Sequence, residues 1–85
     1  MGITRLIEDT FEVEGNLVIS ARDLDGSVLA VDIVDLNGRH YLVADNTKGE
    51  HLLRHAGKTV FAMGRLIEEQ AMNILEVDQY SIGIS

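Results

Sequence analysis

The chain has no cysteine, no proline and no tryptophan. It has only two Phe and two Tyr, and half as many basic residues as acidic ones. Each shortage removes a class of function. Without Cys there is neither a disulfide framework nor a thiolate metal site. No apolar run approaches the roughly 20 residues that a helix needs to cross a bilayer. Residues 1–9 lack the positive start and the apolar stretch of about 7–15 residues that mark a secretory signal. Seven Lys and Arg against fourteen Asp and Glu leave a formal charge of −7. That is the wrong balance for a surface whose affinity depends on neutralising phosphates. Catalytic signatures are missing as well: there is no Gly-x-Ser-x-Gly elbow and no phosphate-cradling glycine motif.

What is present suits a small globular domain, since 46% of the 85 residues are apolar and 25% are charged. The expected organisation is a single domain over 1–85, with residues 1–10 as a lead-in. A domain of this size buries only about 60–65% of its unfolded surface. With no cross-links, nearly every Val, Ile and Leu then has a structural role. In the lead-in, Ile3, Leu6 and Ile7 fall at helical spacing behind Thr4 as a cap, which fits one helical turn or an irregular approach.

From Phe11 the period is two. Phe11, Val13, Leu17, Ile19 and Ala21 alternate with Glu12, Glu14, Asn16, Val18 and Ser20, as in a half-buried strand. Gly15 interrupts the pattern and suggests a bulge or sharp bend. Two further strands follow, over Val28–Asp35 and Arg39–Asp45. In the first hairpin a two-residue loop would set Ile19 against Asp32 and mix the faces. A three-residue loop, Leu24-Asp25-Gly26, sets Ile19 against Val31 and Leu17 against Ile33, with Gly26 left-handed. In the second, Asn37-Gly38 is a strong signal for a two-residue type I′ turn. That turn pairs Val34 with Tyr41, Ile33 with Leu42 and Asp32 with Val43, and turns Ile33 and Leu42 inward.

The run Thr47-Lys48-Gly49-Glu50 fits a capping box. It opens a helix of two to three turns with Leu52, Leu53 and Ala56 on its apolar stripe and Gly57 as its left-handed stop. Strands over about Lys58–Ile67 and Asn73–Ile82 complete the chain. Both are apolar on both faces in places, so no register follows from their pattern. Glu68 to Met72 forms a polar loop between them, with no strong turn signature.

Three meandering strands, a helix and two more strands are best satisfied by closure, which removes bare sheet edges. The stretch Leu53-Arg54-His55-Ala56-Gly57-Lys58-Thr59-Val60-Phe61-Ala62-Met63-Gly64-Arg65-Leu66 resembles the helix-to-fourth-strand passage of OB-fold domains. In these a helix plugs the barrel and a Gly-Lys pair launches the next strand. The expected fold is therefore all-β: a five-stranded OB-fold-like Greek-key barrel over 11–82, with one short α-helix between strands 3 and 4. An SH3-like barrel is the rival, but it does not normally carry its helix at this point.

The resemblance implies a binding face on the outside of strands two and three, flanked by the loops after strands one and four. On the registers above, Val18, Asp32 and Val43 form one row of that face. Asn16, Val34 and Tyr41 form the next, with Ser20 and Ala30 beyond. The expected site is thus Asn16, Val18, Asp32, Val34, Tyr41 and Val43. A clustered apolar face points to cover by the lead-in, to a protein partner, a second copy included, or to a small or glycan-like ligand. Single-stranded nucleic acid, a ligand the resemblance also implies, is the alternative on the same face. It fits less well, because stacking binders combine a cationic groove with several aromatics. Cation binding by the acidic surface is a third reading. His51 and His55, four apart, lack a third ligand. Asp23-Leu24-Asp25-Gly26 opens like a calcium loop but lacks that motif's closing Glu. The sequence thus points to a non-catalytic binding module without cofactor or catalytic residues. A cytoplasmic setting is expected, although the lack of Cys also suits a periplasm reached through a cleaved leader.

Overall fold

The alternating runs become five strands. The computed structural model describes residues 10–83, so the expectations for the lead-in up to Asp9 lie outside the described residues. The strands are β1 (Thr10–Arg22), β2 (Val28–Asp35), β3 (His40–Val43), β4 (Thr59–Glu69) and β5 (Met72–Ile82). A helix, α1 (Thr47–Leu52), runs on into a 3₁₀ turn at Leu53–His55, between β3 and β4. The sheet closes in the order β1-β2-β3-β5-β4. This is the expected all-β barrel with its one short helix in the expected place. No helix among the described residues is long and apolar enough to cross a membrane.

Closure depends on how β1 is shared. Its first half pairs with β4 and its second half with β2, and Gly15 sits at the crossing, opposite both Val60 and Asp35. A Cβ at Gly15 would lie 2.2 Å from the Val34 carbonyl oxygen, so only glycine lets the backbones approach this closely. Pairing is in register there; the irregularity expected at Gly15 falls instead between Ile19 and Arg22. On the far side, β3 and β5 meet as a short parallel pair, Leu42 with Ile74 and Val43 with Leu75.

Odd-numbered residues turn inward along β1 as far as Leu17 and from Val31 through β3, where Val13, Leu17, Val31, Ile33, Tyr41 and Val43 are buried; beyond the β1 irregularity the alternation lapses, and Ala21 and Leu29 are exposed. Val60, Ala62, Leu75 and Val77 complete the strand contribution, and Leu52 of α1 joins the same cluster. No polar or charged residue is buried among them. Each fully buried Leu, Ile or Val stabilises by about 1.5–3 kcal/mol relative to exposure. Leu52, fully shielded, is therefore what anchors a helix too short to be stable alone.

The first hairpin has the expected three-residue loop. Leu17 faces Ile33, Ile19 faces Val31, and Gly26 has φ +92°. The second departs from expectation. Asp32 faces Leu42, Ile33 faces Tyr41 and Val34 faces His40, one residue from the type I′ register. The loop is Leu36-Asn37-Gly38, again three residues, with Gly38 alone left-handed at φ +83°. Its cause is Asp35, whose Oδ1 accepts from the Asn37 and Arg39 amides, both at 2.9 Å. A slip of one residue exchanges the faces of a strand. Tyr41 and Val43 are consequently core residues and Leu42 lies on the outside, the reverse of the expectation.

The helix start also moves. Asn46 is the cap, its side chain accepting from the Gly49 amide at 2.8 Å, so Thr47 is the first helical residue and no capping box forms. The β4–β5 connection is a two-residue turn, Gln70-Ala71, between the paired Glu69 and Met72. Both turn residues have positive φ, 48° and 66°, which is unusual for side chains without a turn preference.

Candidate binding groove

The outer face of β1, β2 and β3 carries the even-numbered side chains. One row across it is Asn16, Val34 and His40; the next is Val18, Asp32, Leu42 and, on β5, Ile74. Four of the six expected site residues, Asn16, Val18, Asp32 and Val34, stand together here. The other two, Tyr41 and Val43, do not. Tyr41 is 4% exposed, with its ring 5.3 Å from that of Phe11 inside the barrel, and Val43 is 8% exposed. His40 and Leu42 take their places on the face.

Above these rows lies an open groove of about 490 Å³. Its apolar lining comes from Ala21, Ala30, Leu42, Ala71 and Met72; Ser20, Asp32, His40 and Asn73 supply polar groups. The strained Gln70-Ala71 turn places the start of β5 as one wall. Val18, Leu29 and Met72 remain notably exposed around the face, at 43%, 57% and 49%. A groove of this volume is within the range of ligand sites. An apolar floor with a few placed polar groups suits an extended chain better than a fully enclosed small molecule.

Asp32 and His40 form the polar centre, with His40 Nδ1 and Asp32 Oδ2 3.1 Å apart. Asp32 is the more buried partner and His40 the more exposed. Ser20 lines the same groove, so a hydrolytic triad has to be considered. That chemistry requires the imidazole to stand between the hydroxyl and the carboxylate. Here the order is inverted. Ser20 is on β1, His40 is on β3, and Asp32 on β2 lies between them. Two strand spacings alone separate Ser20 from His40 by about 9–10 Å. The Asp32–His40 pair therefore does not form a triad with Ser20.

The other sequence candidates are absorbed by local structure. Asp23 Oδ1 accepts from the Leu24 amide and Asp25 Oδ1 from the Ser27 amide, so both carboxylates serve the turn. Hydrogen bonding from the Ser27 side chain and then its amide holds the Asp25 carboxyl below its ordinary 3.8. His51 lies in the last turn of α1, while His55 belongs to the 3₁₀ turn and lies beside Tyr80, 6.4 Å between ring centres. No cluster of three or more potential metal ligands occurs among the described residues.

The residues missed from sequence are His40, Leu42 and the Ala71–Asn73 wall. A signal for the first two was present: Asp23-Leu24-Asp25-Gly26 and Asp35-Leu36-Asn37-Gly38 share one pattern. The three-residue reading of the first loop thus applied equally to the second. Nothing in the composition of Glu68–Met72 pointed to the wall. No protein-family model matches this chain, and no curated protein is significantly similar to it in sequence.

Proposed function

We propose that this chain is an OB-fold-type barrel acting as a non-catalytic binding module, without cofactor, that engages a protein partner through the outer face of β1–β3. The strand order, the helix between β3 and β4 and the sharing of β1 between β4 and β2 at Gly15 support the OB reading. One observation carries the functional reading: an open, apolar-floored groove lies on that face, lined by Ala30 and Leu42 among others, with Asp32 and His40 as polar groups. Contiguous accessible apolar surface of this kind marks interfaces. The partner includes a second copy of the chain as a candidate.

Single-stranded nucleic acid loses support from the corrected register. Tyr41, the one aromatic expected on the face, is in the core. Among the described residues, no Lys, Arg, Phe, Tyr or Trp lines the groove. Stacking and phosphate neutralisation therefore have no groups there to act through.

The test is site-specific photo-crosslinking in cell extract, with the reactive side chain at position 30 in one protein and at position 61, on the outer face of β4, in another. The proposal expects a discrete protein adduct from position 30 that disappears in the Leu42→Arg background, and none from position 61. Sedimentation tells a second copy from a foreign partner. Equal adducts from both positions, or adducts indifferent to Leu42→Arg, would contradict the assignment.

A further inference from the structure

The groove does not end at Leu42. Ala30 and Leu42 are shared with a second cavity of about 380 Å³ on the α1 side, which reaches Leu29, Leu53 and Ile74 and has Asp45 and Glu50 at its margin. The two cavities meet at Ala30 and Leu42, and apolar side chains line both. The charge along them has one sign. Asp32, Asp45 and Glu50 are their acids, His40 is their sole titratable base, and no Lys or Arg among the described residues lines either compartment.

We infer that the occupant is an extended, lysine- or arginine-rich peptide segment of a protein partner, with two apolar side chains seated one in each cavity. The inference rests on the proposed protein-binding role and adds the chemistry of the partner. In an extended segment, alternate side chains point the same way, so apolar anchors alternate naturally with cations facing Asp32 on the floor and Asp45 and Glu50 beyond it. Anchors fill pockets while opposite charges set register and exclude acidic competitors. The formal charge of −7 extends the same preference to longer range, because an acidic protein attracts cationic segments and repels acidic ones.

Four probes on the full chain test this by amide-resolved NMR titration. They are a blocked heptapeptide alternating lysine and leucine, the same peptide with glutamate for lysine, the same with serine for leucine, and an eight-residue oligothymidylate. The lysine–leucine peptide should give saturable shifts centred on Ala30, Asp32, Leu42 and Glu50. Replacing its leucines should weaken binding by about tenfold or more, since each seated leucine contributes well over the 1.4 kcal/mol that equals a factor of ten. In the protein, Asp32→Asn and Glu50→Gln should each weaken it about two- to fivefold, the range for partly exposed charge pairs. Glu14→Gln, outside these two cavities, should not.

Equal shifts with the glutamate peptide would overturn the cationic partner while leaving a protein-binding groove intact. Shifts at these residues with oligothymidylate alone would overturn both readings. Silence from every probe, or lysine-peptide shifts centred elsewhere, would overturn the inference. The position-30 adduct then judges the protein-binding role separately.

Discussion

Substituting two neighbouring residues of β3 separates the observed register from its one-residue alternative. Tyr41 is 4% exposed and its ring packs 5.3 Å from that of Phe11, whereas Leu42 sits half-buried at the groove. Tyr41→Ala removes a core aromatic and should cost about 3–5 kcal/mol. Leu42→Ala removes a side chain that is only half withdrawn from water and should cost about 1 kcal/mol. For a domain of this length, total stability is on the order of 4–13 kcal/mol. The first variant therefore loses a large share and melts early, or does not fold. The second stays close to wild type. Urea unfolding followed by far-UV circular dichroism measures both, with an unchanged slope confirming that the transition is the same one. If Leu42→Ala proved the more damaging of the two, β3 would be turned over. The groove would then lose Leu42 from its floor, and the reasoning would fail.

Three further outcomes follow from the loops and caps. Ala71→Gly should stabilise the protein by about 1 kcal/mol by relieving a left-handed alanine, raising Tm by about 4–8 °C. A lower Tm in a thermal melt would contradict the β4–β5 turn described here. Asn46→Ala should cost about 1 kcal/mol in denaturant unfolding because the Gly49 amide loses its acceptor, whereas Thr47→Ala should cost less; the reverse order would restore Thr47 as cap. Ser27→Ala should raise the Asp25 pKa toward its ordinary 3.8 in an NMR pH titration, since the Ser27 hydroxyl is the chief cause of its depression. The sign is fixed by linkage. A carboxylate depressed on folding contributes stability above its unfolded value and loses it as pH falls through the folded one. The Asp25 contribution is therefore complete at neutral pH and fades only below 3.8, and an Asp25 unmoved by Ser27→Ala would refute the pairing.

Where side-chain alternation and turn chemistry agreed, the sequence was legible. In β1 and β2 the wrong loop length would have set Ile19 against Asp32, so pattern alone selected the register that Leu17–Ile33 and Ile19–Val31 adopt. In β3 the pattern was silent. Tyr41, Leu42 and Val43 are all apolar, so either face could have been buried, and the Asn37-Gly38 dipeptide decided wrongly. The deciding group was the Asp35 carboxylate, which holds the longer loop through two amides. The β4–β5 turn was illegible for a different reason. Gln70 and Ala71 carry no turn preference, and the long ladder from Arg65–Glu76 to Glu69–Met72 imposes their conformation from outside. One wall of the groove is thus a product of pairing elsewhere in the barrel. That is why Asn16, Val18, Asp32 and Val34 stand on the outer face as expected, while of the six residues named from sequence Asp32 alone lines this groove.

The most direct measurement of the central claim is a methyl-resolved NMR spectrum of the protein with and without the partner recovered at position 30. Methyl groups of Ala30, Leu42 and Met72 should shift and broaden on addition. Those of Leu52, Leu75 and Val77, sealed in the core, should hold their positions. Shifts confined to Met63 and the outer face of β4, with Ala30 and Leu42 unmoved, would place the interface on the other side of the barrel and contradict the account.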